Sequence, residues 1–171
     1  ITIPYVYADW LWGIYKIMLR DGTGNFDNIS NDTECKYKYA NKDVIINLKE
    51  KYNLSYILKL YDDNNIDFKY KERKENGINI LKSKELICDI KVSDFILSNY
   101  KKYKLFYTPN HPTHIILKEM SKQILKKLNI NYDNFDKIFE KHNFNLGCEL
   151  PYSKYDKTNH NYQFKINCND N

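Results

Sequence analysis

Arginine and alanine are nearly missing from this chain of 171 residues, with 2 of each against 25 lysines. Arginine leads in the planar forks that grip bases and phosphates. Its scarcity therefore argues against a nucleic-acid reader, although the formal net charge is +5. Acids also interrupt the basic stretches: Lys69, Lys71, Arg73 and Lys74 sit among Asp67, Glu72 and Glu75, the pattern of a solvated helix face. Cys35, Cys88, Cys148 and Cys168 include no C-x-x-C pair, which argues against a structural zinc site. No apolar run approaches the ~20 residues that a membrane span needs. Gly22-Thr-Gly24 lacks the Lys-Ser/Thr of a phosphate loop, and no G-x-S-x-G elbow marks a serine hydrolase. With no visible leader, the expectation is reduced thiols and a cytoplasmic location.

What is abundant is 22 Asn, 20 Ile and 16 Tyr, residues of AT-rich codons, so this bias reads as genomic. Aromatics at 15% argue against disorder. The length fits one domain and suffices to bury a real core. Ile1 stands where a native chain has Met, which suggests that an opening segment is missing and that part of an active site lies in it.

The spacing predicts a strand over Ile1–Tyr7, then an aromatic patch of Trp10, Trp12 and Tyr15. Asp21–Ala40, with Gly22, Gly24 and many Asn and Asp, reads as a long loop. Asp43 suits the cap of a helix reaching about Tyr52, followed by a short helix over Ser55–Tyr61. A charged helix is expected over Asp67–Lys84, with a break at Asn76-Gly77, and another over Ser93–Tyr100. Tyr103–Tyr107 is β-prone and Thr108–Thr113 is a turn. Pro112–Leu128 reads as an amphipathic helix with Leu117, Met120, Ile124 and Leu128 on its apolar face. Phe135–His142 is a further helix. The boundaries implied are a domain over 1–155 and a polar, Asn-rich tail over 156–171.

The Thr108–Thr113 turn is the best candidate site. Ligands of α/β folds bind where a strand passes into a helix, and a helix start offers unpaired amides and a positive dipole end. His111 supplies an imidazole, the side chain most often used as general base or acid, and Asn110, Thr108 or Thr113 supply hydrogen bonds. The competing reading is structural: Asn110 or His111 caps the helix and the prolines fix the turn. Glu85, Asp89 and Asp94 form an acidic group from which one carboxylate orients His111 or simply sits at the surface. His111 and His114 have metal-like spacing but no third ligand, so no metal is expected.

Two stretches resemble the WcbI family of polysaccharide biosynthesis proteins. One is Lys84-Glu85-Leu86-Ile87-Cys88-Asp89-Ile90-Lys91-Val92-Ser93-Asp94-Phe95-Ile96. The other is Lys104-Leu105-Phe106-Tyr107-Thr108-Pro109-Asn110-His111-Pro112-Thr113. The resemblance implies a helix-rich α/β single domain with a short, mostly parallel sheet, an SGNH-like three-layer fold. It also implies coenzyme A binding and acyl, chiefly acetyl, transfer to a sugar of a surface or capsular polysaccharide. His111, Glu85 and Asp89 would then be catalytic. Asn110, Thr113, Lys102 and Lys104, with Lys101, would meet the cofactor. The family's opening Gly-Asn-Cys-Gln motif does not occur here, and Lys84 stands where the family has Arg, a weaker grip on phosphate. The alternatives are a glycan- or nucleotide-binding module using Trp10, Trp12 and Tyr15, or a structural domain of a larger assembly.

Overall fold

The computed structural model describes residues 1–13, 42–140 and 149–166. The expected loop over 21–40, Tyr15, and Cys35, Cys148 and Cys168 lie outside them, as does the side chain of Asp43. Seven helices are described: α1 (Lys42–Lys51), α2 (Leu54–Asp62), α3 (Tyr70–Glu85), α4 (Ser93–Asn99), α5 (His114–Lys127), α6 (Phe135–Glu140) and α7 (Lys154–His160). No described helix is long and apolar enough to cross a membrane. The described residues form one sheet, an antiparallel pair of β1 (Phe106–Thr108) and β2 (His111–Pro112). That corrects the expected mostly parallel sheet. The two-residue connection Pro109-Asn110 is too short for the crossover that parallel strands need.

Ile1–Tyr7, expected as a strand, forms no regular element. It lies along the molecule, tied at Thr2 to the Ile87–Ile90 segment and at Ala8, whose amide donates to the carbonyl of Pro109. A single 3-10 turn over Asp9–Leu11 then buries Trp10, Leu11 and Trp12. Both tryptophans are fully inaccessible, so they form a core and not the expected stacking surface. Trp10 meets Tyr100 edge-on and Trp12 stacks on Tyr152. Against them pack Ile78 and Leu81 of α3, Ile96 of α4, Phe106 of β1 and Ile116 of α5.

α3 runs through Asn76-Gly77 without the expected break. Gly77 is buried, and a Cβ there would lie 2.9 Å from Trp10 Cδ1. The glycine therefore lets the helix close on the indole. On α5 the buried face is Ile116 and Met120, with Ile124 partly buried, while Leu117 and Leu128 are exposed. Met120 and Ile124 of the expected stripe thus face the core, while Ile116 takes the place expected of Leu117, because i−4 and i−3 from Met120 lie on the same helix face. Pro112 precedes the helix in β2, and Thr113 is the cap, accepting from the Ile115 amide at 3.4 Å.

Residues 156–166, expected as part of a polar tail, enter the core. Ser153 and Asp156 form a capping box that starts α7. Asp156, His160 and Tyr162 are buried. Asp156 Oδ1 accepts from Tyr70 Oη at 2.6 Å and from the Gly13 amide at 2.7 Å. Their polar composition hides this, because buried polar groups are tolerated once they are hydrogen-bonded.

Candidate active site at the hairpin turn

Thr108 and His111 face each other as the last pair of the β1–β2 hairpin, with Pro109-Asn110 between them. Directly opposed residues of an antiparallel pair bring their side chains together, and Thr108 Oγ1 lies 2.5 Å from His111 Nδ1. The register slips between Phe106 and Thr108, a bulge of the kind that re-aims side chains beside functional sites. Thr108 is buried and also donates to Asn110 Oδ1 at 3.1 Å. His111 is exposed and Asn110 is half-buried. The site is thus a solvent-facing imidazole held from behind by a buried hydroxyl, above the start of a 14-residue helix.

The two carboxylates expected to orient His111 have other tasks. Glu85, at the end of α3, is buried and accepts from the amides of Val92 and Ser93 at 2.5 and 2.8 Å and from Ser93 Oγ at 2.5 Å. It ties the start of α4 to α3. Asp89 accepts from the Thr2 amide at 2.8 Å and from Lys127 Nζ at 3.1 Å. The Thr2 bonds, then Lys127, pull its carboxyl down to about 2. It fastens the extended segment to the end of α5. Asp94 pairs with Lys82 at the surface. None of these three bonds the imidazole; Thr108 does, and the sequence signal for it was only its place beside Pro109.

The expected cofactor residues also divide. Thr113 is buried, donates to the Lys104 carbonyl at 2.9 Å and caps α5. Lys104 pairs with Glu149. Lys102 is exposed, and neighbouring Lys101 lies over the Tyr100 ring, 5.9 Å from its centroid. Lys74 approaches the same ring at 5.7 Å. Asn110, on the turn beside the imidazole, accepts from Thr108 Oγ1. His114 is exposed, and the described residues hold no cluster of three His, Cys, Asp or Glu side chains placed for a metal.

Beside the hairpin runs Tyr5–Ala8. Lys84 Nζ sits 5.6 Å from the Tyr5 ring centroid and 5.1 Å from that of Tyr7. Burial and then Asp9 raise the Tyr7 hydroxyl pKa above its usual value. Lys84 is thus engaged with aromatic faces.

The fold is similar to the solved structure of WcbI, a novel polysaccharide biosynthesis enzyme in its native form without a disulfide bond between coenzyme A and one of its cysteines. The two share 18% sequence identity and a TM-score of 0.58, over 77% of this chain and 42% of that one. This chain thus spans less than half the length of that protein. No curated protein matches the sequence. The profile of the polysaccharide biosynthesis enzyme WcbI matches residues 25–133, well over half of the chain, including Glu85, the hairpin and α5. By that match the chain belongs to the WcbI family of polysaccharide biosynthesis enzymes.

Proposed function

We propose that the chain takes part in coenzyme A-dependent acyl transfer, chiefly acetyl transfer, to a sugar hydroxyl during surface or capsular polysaccharide biosynthesis. One observation carries the reading: an exposed imidazole, His111, is held through Nδ1 by a buried threonine at a hairpin turn. Family membership supplies the pathway class. The same reading puts the reaction in the cytoplasm, where acyl-coenzyme A is made, and keeps an SGNH-like frame as the expected architecture.

Acyl-coenzyme A, when bound, would supply the acyl group as a thioester, with coenzyme A leaving as the thiol. His111 Nε2 would take the proton of the sugar hydroxyl and hand it on to the thiolate that leaves. Asn110 and the positive end of the α5 dipole would favour negative charge on the acyl group's oxygen. Lys101 and Lys102 attract the phosphates. Glu85 and Asp89 serve the scaffold that carries these groups, and Thr113 and Lys104 hold the hairpin's open end.

The test is direct. Coenzyme A should raise the melting temperature of the protein, because a ligand that binds only the folded state stabilises it. A Lys101→Glu, Lys102→Glu double variant should lose most of that shift. His111→Gln should keep the shift while acyl transfer to a sugar acceptor falls on the order of 100-fold or more. A fully active His111→Gln protein ends the proposal. Sugar binding with no thioester turnover would favour a glycan-binding module instead.

A further inference from the structure

We infer that Thr108 is the positioning residue that fixes the tautomer of His111, keeping the proton on Nδ1 and leaving Nε2 as the base. The inference rests on the proposed role of His111, but its central observable does not require activity.

The argument is an accounting of one hydroxyl proton. A threonine hydroxyl donates once and accepts at its lone pairs. Thr108 Oγ1 donates to Asn110 Oδ1 at 3.1 Å, and a carbonyl oxygen can only accept. The same Oγ1 lies 2.5 Å from His111 Nδ1. With its proton already committed, the hydroxyl meets Nδ1 as an acceptor, so Nδ1 carries the hydrogen. A neutral imidazole has one N–H, and Nε2 is then left with its lone pair. That nitrogen belongs to an exposed ring, whereas Thr108 is 1% exposed and exchanges little with water. Free histidine prefers the opposite tautomer, so the hairpin imposes this one.

Three features make the arrangement rigid. Thr108 and His111 are cross-strand partners. The turn between them is anchored when the Ala8 amide donates to the Pro109 carbonyl at 2.7 Å. The strand end beyond them is closed by the Thr113 amide, which donates to the Leu105 carbonyl at 2.8 Å. A carboxylate usually orients a catalytic imidazole. Here the neutral Thr108–Asn110 pair takes that place, while Glu85 and Asp89 are engaged elsewhere.

The experiment is long-range 1H–15N correlation NMR of the labelled protein at a pH where His111 is neutral. Its signals are assigned by their loss in His111→Asn. The expected pattern is a protonated Nδ1 and an unprotonated Nε2. Thr108→Ser, which keeps the hydroxyl, retains that pattern. Thr108→Val, which keeps the shape and deletes the hydroxyl, moves it towards the Nε2–H form. In the transfer assay Thr108→Val lowers kcat on the order of 10-fold with KM little changed, and Thr108→Ser restores it. A wild-type protein already in the Nε2–H form overturns the inference, whether or not the valine variant folds. An unchanged pattern in a folded Thr108→Val does the same. The expected tautomer in a protein without transfer activity leaves this inference standing and removes the proposed function instead.

Discussion

At the scale of single residues, Gly77 shows how the core sets its own exceptions. Glycine inside a helix costs ~1 kcal/mol against alanine, so an exposed Gly→Ala change would stabilise α3. Here the added methyl would press on a fully buried indole that has no room to turn, since its neighbours Tyr100 and His160 pack edge-on against it. Overpacking of this kind costs ~1–3 kcal/mol. Gly77→Ala is therefore expected to lower the melting temperature by several degrees, and a thermal melt followed by tryptophan fluorescence reads both the loss and the moved indole. An unchanged or higher melting temperature would mean that Trp10 yields.

The secondary elements depend on a few polar ties across sequence. Glu85 accepts three hydrogen bonds at the start of α4, from residues 7 and 8 positions away. Hydrogen bonds to a charged group contribute ~1.5–3 kcal/mol, and a lost helix cap costs ~1 kcal/mol. Glu85→Ala should accordingly destabilise the protein by about 2–4 kcal/mol in urea unfolding, with the slope unchanged. Because the carboxylate bonds Val92 and Ser93 and not the imidazole, the refolded variant should still bind coenzyme A. This tie explains what the sequence hid. The hairpin turn was legible because Thr-Pro-Asn-His-Pro-Thr states its geometry within six residues. The role of Glu85 was not, since a carboxylate near a candidate base looks alike whether it orients a ring or caps a helix. Helices α4 and α5 were legible from their apolar spacing. The antiparallel pairing of β1 was not, because a two-residue partner strand has no periodicity to read. The burial of His160 and Tyr162 was equally hidden behind a polar composition.

Across the whole molecule, stability depends on pH through groups sealed in the aromatic core. His160 Nε2 donates to the Trp10 carbonyl at 3.0 Å, and its ring is enclosed by Trp10, Tyr70, Tyr100 and Tyr162. Burial first, with Lys74, Lys101 and Arg73 nearby, lowers its pKa from 6.5 to about 4 despite the opposing Trp10 bond. A histidine that stays neutral when folded and charges when unfolded loses stability as pH falls from 6.5 towards 4. Asp156 acts the other way, because burial raises its pKa, so its contribution declines as pH rises above the unfolded carboxyl range. The clean measurement is the difference between wild type and His160→Gln, whose amide can still donate to Trp10. Between pH 7 and 4.5 the wild type should lose on the order of 2–3 kcal/mol more than the variant. Parallel pH curves would remove His160 as the cause.

The same contacts carry a kinetic consequence. Trp10 meets His160 across 150 residues, Leu11 meets Tyr162 across 151, and Gly13 meets Asp156 across 143. During synthesis the two tryptophans leave the ribosome long before the residues that enclose them. Contacts of such long range slow folding, and exposed apolar surface in the meantime invites aggregation. The segment around α7 thus works as the closing stitch of the one around Trp10, and this core is sealed only once the later segment has been made.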